Sequence, residues 1–371
     1  MFLPQPIGLI YRHIAKPTLF KFDPEFVHQR ISKVGHLLGR FALGRALTSA
    51  LFNYRNPMLE QEVAGIRFIN PIGLSAGFDK NAELVNILPA VGFGFMEIGS
   101  VTYEAYAGNP APRLFRLPKS KALVVYYGLM NIGVHKIVDR IKRSFKSKAI
   151  VGISVAKTNC SRTSEEAAGI EDYFACLNYL EQQQAGDYYT INISCPNTFG
   201  GEPFTTEQKL ERLLSRLSIL TIRKPVFVKM PINLPLAEFD KLLQVVIKYK
   251  LTGVVIGNLT KVRDPELIHD TIPEHVKGGI SGKPTETLCN ELISYTYQKY
   301  SKHLVIIGVG GIFSATDAYE KIKRGASLLQ LITGMIFQGP QLIGQINFEL
   351  TKLLEADGYS NVKDAVGSYF K

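Results

Sequence analysis

The chain has no tryptophan and only four cysteines in 371 residues. Those cysteines, Cys160, Cys176, Cys195 and Cys289, never stand in C-x-x-C spacing. That lack argues against a zinc cage or a disulfide framework and fits a reducing compartment, so no metal site is expected. No apolar run approaches ~18 residues, so no helix is expected to span a membrane. The N-terminus lacks the basic head, apolar run and cleavage site of a secretory signal. No G-x-G-x-x-G follows the first strand-like run, which counts against an open dinucleotide-binding sheet. Charge of one sign is in excess, with a formal net charge of +11, but Lys and Arg are scattered. Without a dense basic run or a recognisable nucleic-acid motif, nucleic acid is a poor partner. An anionic substrate or an anionic membrane surface fits the excess better.

What is present is a core. Hydrophobic residues make up 46% of the chain and charged residues 20%, enough to bury one large barrel with an appendage. From about residue 60 the sequence repeats a unit of apolar strand, short loop and helix. The candidate strands are Ile69–Leu74, Phe93–Ile98, Ala149–Val155, Tyr188–Ile193, Val226–Met230, Gly253–Ile256, Leu304–Val309 and Ser327–Ile332. Most are nearly continuous apolar runs, the signature of parallel strands covered on both faces. Helical stretches separate them, among them Asn131–Phe145, Glu165–Gln182, Thr206–Leu220, Leu236–Tyr249 and Ala315–Lys323. Eight such units predict an α/β fold, a (β/α)8 TIM barrel, over residues 46–371. Residues 1–45 read differently. Asp23 followed by Pro24 marks a helix start, and Phe26, Val27, Ile31, Val34, Leu37 and Leu38 fall opposite Arg30, Lys33 and Arg40. Two amphipathic helices with basic polar faces either lie on a membrane surface or dock on the barrel.

Barrels place chemistry on the loops that follow the strands, and the unusual polar residues fall there. The strand ends lead into Ser75 to Asn81, Glu97 to Ser100, Ser154 with Lys157 and Asn159, Asn192 to Asn197, Lys229, Gly257-Asn258, Gly308 to Gly311, and Thr333-Gly334. Gly310, Gly311 and Gly334 lie at helix starts after the last two strands, a natural phosphate cradle. Lys229 points from the fifth strand into the mouth and needs an anionic partner. A flavin ring, anionic once reduced, is one that fits. The stretch from Thr190 to Gly201 is the centre of the pattern. It breaks at Pro196 and Gly200-Gly201, leaving the Cys195 thiol between the carboxamides of Asn192 and Asn197. A thiol so placed suits proton removal from a molecule the amides hold.

These residues carry a family resemblance. Asn70–Lys80, Gly92–Ser100, Gly108–Leu117, Asn192–Asn197, Gly278–Pro284, Ile306–Ile312, Glu320–Ser327 and Gly334–Pro340 resemble the dihydroorotate dehydrogenases, and Leu19–His28 resembles the N-terminal extension of their membrane-associated, quinone-using class. The likeness covers nearly the whole chain. It implies FMN across the barrel mouth, held by Ala76, Gly77, Lys80, Ser100, Ser154, Asn192, Lys229, Gly257, Gly282, Gly310, Gly311, Thr333 and Gly334. It further implies that Lys80, Asn131, Asn192, Asn197 and Asn258 bind a dihydroorotate-like substrate, and that Cys195 is the base. His28 and Arg116 would face the passage of a membrane quinone. The implied location is peripheral, on the cytoplasmic face of a bacterial inner membrane.

The sequence departs from that family at defined positions. The quinone class carries serine where this chain has Cys195, and the residues after Pro196 look like those of the soluble classes. Val125 stands where the family has a substrate-binding asparagine, and Leu259 where a hydroxyl residue follows Asn258. Ser154 and Ile332 replace an asparagine and a tyrosine near the flavin. Two alternatives stay open on these grounds: a flavin enzyme acting on a different dihydro-ring or carbonyl-adjacent bond, and a non-catalytic flavin-binding relative.

Overall fold

The computed structural model describes residues 4–144, 149–199, 201 and 204–371. Eight parallel strands close into a barrel. They are β1 (Ile72–Leu74), β2 (Phe95–Val101), β3 (Ile150–Val155), β4 (Tyr188–Asn192), β5 (Val226–Met230), β6 (Gly253–Ile256), β7 (Val305–Val309) and β8 (Leu328–Leu331). Closure is made by β8 on β1, with Leu329 opposite Ile72 and Leu331 opposite Leu74. Seven lie within the apolar runs expected to be strands, and β2 starts inside the expected Phe93–Ile98 run but continues to Val101. The sequence exposes them because each is buried on both faces, so the runs are mostly apolar, with few polar residues inside them.

Period-two alternation stacks the barrel interior in layers. The floor layer is apolar: Phe95, Tyr188, Phe227, Val255, Ile307 and Leu328 cluster with Val63 and Phe68. The last two come from an antiparallel hairpin, Gln61–Val63 with Ile66–Phe68, that closes the bottom. Two residues further along their strands come Glu97, Thr190, Lys229 and Gln330, all buried. Polar groups therefore appear only one layer above the floor. Two glycines let the floor close. A Cβ on Gly73 would stand 2.3 Å from Phe95 Cζ, and one on Gly152 2.0 Å from Tyr188 Cζ.

A side sheet stands over the rim. Leu114–Leu117, Ala122–Val125 and Gly279–Gly282 pair antiparallel, with Ala122–Val125 in the middle. Above it lies the N-terminal segment: α1 (Pro4–Ile10), a π-helical turn (Tyr11–Ala15), α2 (Lys16–Leu19), α3 (Pro24–Arg40) and α4 (Ala42–Phe52). The Asp23 carboxylate caps α3 by accepting from the Phe26 N–H at 2.8 Å. The helical segment runs through residue 45, where the sequence placed its end, and stops at Phe52. One face docks: Gly35 and Gly39 of α3 let Leu84 and Ile87 of the barrel come close. The opposite face leaves Phe26, Val34, Leu37, Phe41, Leu43 and Leu47 exposed. Among the described residues no helix is long and apolar enough to cross a membrane.

The expected helix from Asn131 to Phe145 is shorter, Val134–Arg143. Gly133, at φ +84°, precedes it and sets its start. Phe145, Gly200, Glu202 and Pro203 lie outside the described residues. Replacing Gly152 by Ala should drive a methyl into the Tyr188 ring and lower stability by about 1–3 kcal/mol. A thermal melt reads this directly, and an unchanged melting temperature would mean the floor is not tightly packed.

Candidate active site

The strand ends open into one cavity of about 520 Å³. Its lower end is the barrel mouth, lined by Lys229, Cys195 and Gly310. Its upper end lies between the helices, lined by Val27, Ile31 and Leu38 of α3 and Phe52 of α4. A polar floor and an apolar shaft thus share one space.

The loop after β4 is built by its own side chains. Asn192 Oδ1 accepts from the Ser194 N–H and hydroxyl, both at 3.2 Å, which turns the chain off the strand. Asn258 Nδ2 donates to the Ser194 carbonyl at 2.6 Å and so ties this loop to the one after β6. Cys195, partly exposed, lines the cavity. Beyond Pro196 the loop is clamped. Asn109 Nδ2 donates to the Asn197 carbonyl at 3.0 Å. Phe199 is then held on both sides of its Cα, its N–H donating to Asn159 Oδ1 at 2.6 Å and its carbonyl accepting from Lys157 Nζ at 3.2 Å. Asn197 Nδ2 donates to the Val125 carbonyl at 2.7 Å. Its Oδ1 is buried and has no hydrogen-bond partner among the described residues. A buried acceptor left open in a cavity is a place for a ligand donor.

Beneath the loop lies Lys229, 5% exposed. Ser75 Oγ accepts from its Nζ at 3.5 Å. Burial holds the ammonium below the usual lysine range, and the Glu97 carboxylate is the main opposing influence. Glu97 itself accepts from Thr190 Oγ1 and Gln330 Nε2, each at 2.9 Å. Lys80, after β1, is the second buried cation. Burial pulls it down to about 8, against the attraction of Glu25 and Asp79. A buried ammonium with so little direct pairing favours an anion beside it.

The far rim is glycine. Gly282, Gly310 and Gly311 have φ of +98°, +95° and +73°, a region that glycine enters at least cost. A Cβ on Gly334 would stand 2.0 Å from the Ile312 carbonyl oxygen. Backbone rather than side chain therefore faces the cavity here, with Thr333 joined to Ser281 by a hydroxyl–hydroxyl bond of 2.9 Å. Such a rim suits a phosphate. The glycine wall and the buried Lys229 together fit a phosphorylated, planar cofactor, and the open Asn197 oxygen leaves an acceptor for a second ligand beside it.

The shaft has its own polar points. Arg116 Nη1 donates to the Phe22 carbonyl at 2.7 Å, fastening the turn into α3 to the side sheet. His28 packs edge-on against Phe78, ring centroids 4.7 Å apart. Burial, then the Lys80 charge, push its pKa down to about 3, so the imidazole is neutral. The Tyr11 hydroxyl donates to the Ile336 carbonyl at 2.8 Å.

Nearly all the residues singled out from sequence meet here. Ala76, Gly77, Lys80, Ser100, Asn192, Cys195, Asn197, Lys229, Gly257, Asn258, Gly282, Gly310, Gly311, Thr333, Gly334, His28 and Arg116 all line the cavity. Two do not. Asn131 is spent inside the fold: its Nδ2 donates to Thr102 Oγ1 at 2.7 Å and its Oδ1 accepts from Gly133 N at 2.8 Å. Ser154 lies one step behind the wall, bonded to Ser100 Oγ at 2.9 Å, which in turn accepts from Asn192 Nδ2 at 2.7 Å. Its part is to orient Ser100 and Asn192. Val125 and Leu259 line the cavity with apolar side chains, although the Val125 backbone holds Asn197. The sequence reading gave no role to Tyr127, Ser75, Ser281 or Thr285, which also line the space. Ser281 was visible in the Gly278–Pro284 stretch; Tyr127 sits among apolar residues and gives no such signal.

The site and the barrel together define a class: (β/α)8 oxidoreductases that work on a ligand held at the strand ends. Within that class, residues 58–354 match the model of the family described as dihydroorotate dehydrogenase. The chain is 36% identical over 377 residues to the dihydroorotate dehydrogenase (quinone) of Nostoc punctiforme, spanning 98% of this chain and 99% of that one. It is 38% identical to the dihydroorotate dehydrogenase (quinone) of Thermosynechococcus vestitus, spanning 91% and 94%. Among solved structures, that of DHODH from Eimeria tenella in complex with ferulenol superposes with a TM-score of 0.82 at 26% identity, spanning 94% and 96%. The protein belongs to the dihydroorotate dehydrogenase family.

The His28 shift has a consequence with a definite sign. The folded imidazole resists a proton that the unfolded chain accepts near 6.5. Its contribution is complete above about pH 6.5 and is lost as pH falls toward 3. By pH 5 the loss should be on the order of 1–2 kcal/mol. Thermal melts at pH 7 and pH 5 should separate more for the parent protein than for His28→Leu; equal separations would refute the assignment.

Proposed function

We propose that the protein oxidises dihydroorotate to orotate with FMN and passes the electrons to a membrane quinone. The observation that carries this reading is the single cavity joining Cys195 and Lys229 at the mouth to the apolar faces of α3 and α4. One end suits a small polar ring, and the other suits a long apolar tail.

FMN would be held by the glycine rim at Gly310, Gly311 and Gly334, by Ala76, Gly77 and Ser100, and by Lys229. When bound, it supplies the acceptor for the substrate hydride and the route by which electrons reach the quinone. The rest falls to the chain's own groups. The Asn197 oxygen accepts from a ring N–H, and the Asn192 and Asn258 carboxamides face the other ring edges. Lys80 meets the substrate carboxylate. The Cys195 sulfur takes the C5 proton as the C6 hydride leaves. A thiol, ordinarily near 8.5, deprotonates far closer to neutrality than a serine hydroxyl, so a cysteine here keeps the chemistry of the serine in the quinone class. The Asn159 and Lys157 contacts to the Phe199 peptide steady the loop on which that sulfur rides.

The upper end supports the electron acceptor. The exposed apolar faces of α3 and α4 fit peripheral attachment to a membrane, with the shaft between them as the way in. His28 and Arg116 stand beside that shaft, one neutral and one charged, and would meet the quinone's polar head.

Cys195→Ala should slow flavin reduction by dihydroorotate 10²–10⁴-fold, about the worth of a positioned base, while leaving orotate binding nearly unchanged. Cys195→Ser should retain part of the rate with its optimum moved to higher pH. Stopped-flow absorbance of the flavin measures both. Full-rate reduction in Cys195→Ala would remove the thiol from the mechanism.

A further inference from the structure

The substrate-side lysine has an unusual support. Lys80 is buried, yet each carboxylate whose field reaches it is committed elsewhere. The Asp79 oxygens accept from the Glu83 and Leu84 N–H groups, both at 2.8 Å. Glu83 pairs with Arg140 at 2.7 Å. Glu25, from α3, forms a two-point pair with Arg113 at 2.9 and 3.1 Å. His28, also on α3, is neutral and brings no counter-charge, and the Arg113 guanidinium, 5.9 Å from the same Tyr127 ring centroid, opposes the lysine's charge. The partner given to Lys80 is the ring of Tyr127, with Nζ 3.9 Å from the centroid.

Tyr127 is placed for this. It follows the central strand of the side sheet, and its carbonyl is pinned by the Asn109 N–H at 3.1 Å. Its side chain lines the cavity. Its hydroxyl is buried without a hydrogen-bond partner among the described residues. The hydroxyl therefore does not hold the side chain or the lysine, and the contact rests on the ring face. A cation over an aromatic face in a water-poor site gains more than the same pair at the surface.

We propose that Tyr127 is a positioning residue for Lys80: its ring, in place of a carboxylate, keeps the ammonium charged and aimed at the substrate carboxylate. A carboxylate partner would neutralise the lysine and compete with the substrate. A quadrupole supports the charge and leaves it unneutralised. This rests on the proposed function and adds to it the residue that sets the pH range of substrate binding.

The test is orotate binding to the purified holoenzyme, followed by the flavin absorbance change across a pH series. In the parent protein, affinity should fall as pH rises through about 8, where Lys80 loses its proton. Tyr127→Phe should reproduce that curve. Tyr127→Leu should move its midpoint down by about one pH unit, the size expected for a desolvated cation–ring contact. Phenylalanines of increasing ring fluorination at position 127 should lower the midpoint stepwise, since they keep the ring's shape and weaken its face. This series decides the matter if Tyr127→Leu does not fold. A midpoint that stays put across the fluorinated series overturns the proposal. Absence of any orotate-induced change in the parent protein overturns the functional reading instead, and the role of Tyr127 falls with it.

Discussion

Two ammonium groups buried at the foot of an apolar shaft are the constraint on which this structure turns. An unpaired buried charge is costly, and among the described residues two buried lysines line the cavity, Lys229 on β5 and Lys80 after β1. Neither sits in a tight carboxylate pair. Lys229 has Glu97 in the layer with it and Ser75 at 3.5 Å; Lys80 has the Tyr127 ring. A protein tolerates this where an anionic ligand completes the site. The same desolvation that lowers both lysines strengthens their hold on whatever anion arrives.

The barrel supplies the rigidity that such a site needs. Inside the barrel, apolar packing fills the floor, where Phe95 and Tyr188 lie against glycines. The polar layer begins with Glu97, Thr190 and Gln330, joined by hydrogen bonds of 2.9 Å. The mouth itself is made of loops, but they are tied across strands rather than left to themselves. Asn258 grips Ser194, Asn197 grips Val125, and Ser154 backs Ser100 and Asn192. The cap closes the arrangement from above. Its inner face meets the barrel through Gly35 and Gly39, and the Glu25–Arg113 pair ties α3 to the side sheet. The cap thus brings the apolar shaft to the polar mouth instead of forming a separate domain beside it.

Much of this was legible in the amino acids. The strands stand out because burial on both faces keeps them mostly apolar, and the mouth stands out because polar residues gather toward each strand end. What was hidden depends on side-chain direction. Asn131 reads like Asn192 and Asn197, yet the turn before Gly133 swings it onto Thr102. Ser154 occupies the expected place on its strand, but the short side chain stops behind Ser100. Tyr127 reads as one more apolar residue, because a cation over a ring leaves no trace in sequence. The side sheet joins strands more than 150 residues apart, Ala122–Val125 with Gly279–Gly282, and no local pattern announces such a pairing.

The most direct measurement is an anaerobic titration of the purified yellow protein, first with dihydroorotate and then with a long-tailed quinone. The account predicts that the flavin colour is bleached by the first addition and restored by the second, within one cavity and without a further protein. A flavin left coloured by dihydroorotate, or bleached by it but not restored by the quinone, would contradict the claim that this single space joins the two half-reactions.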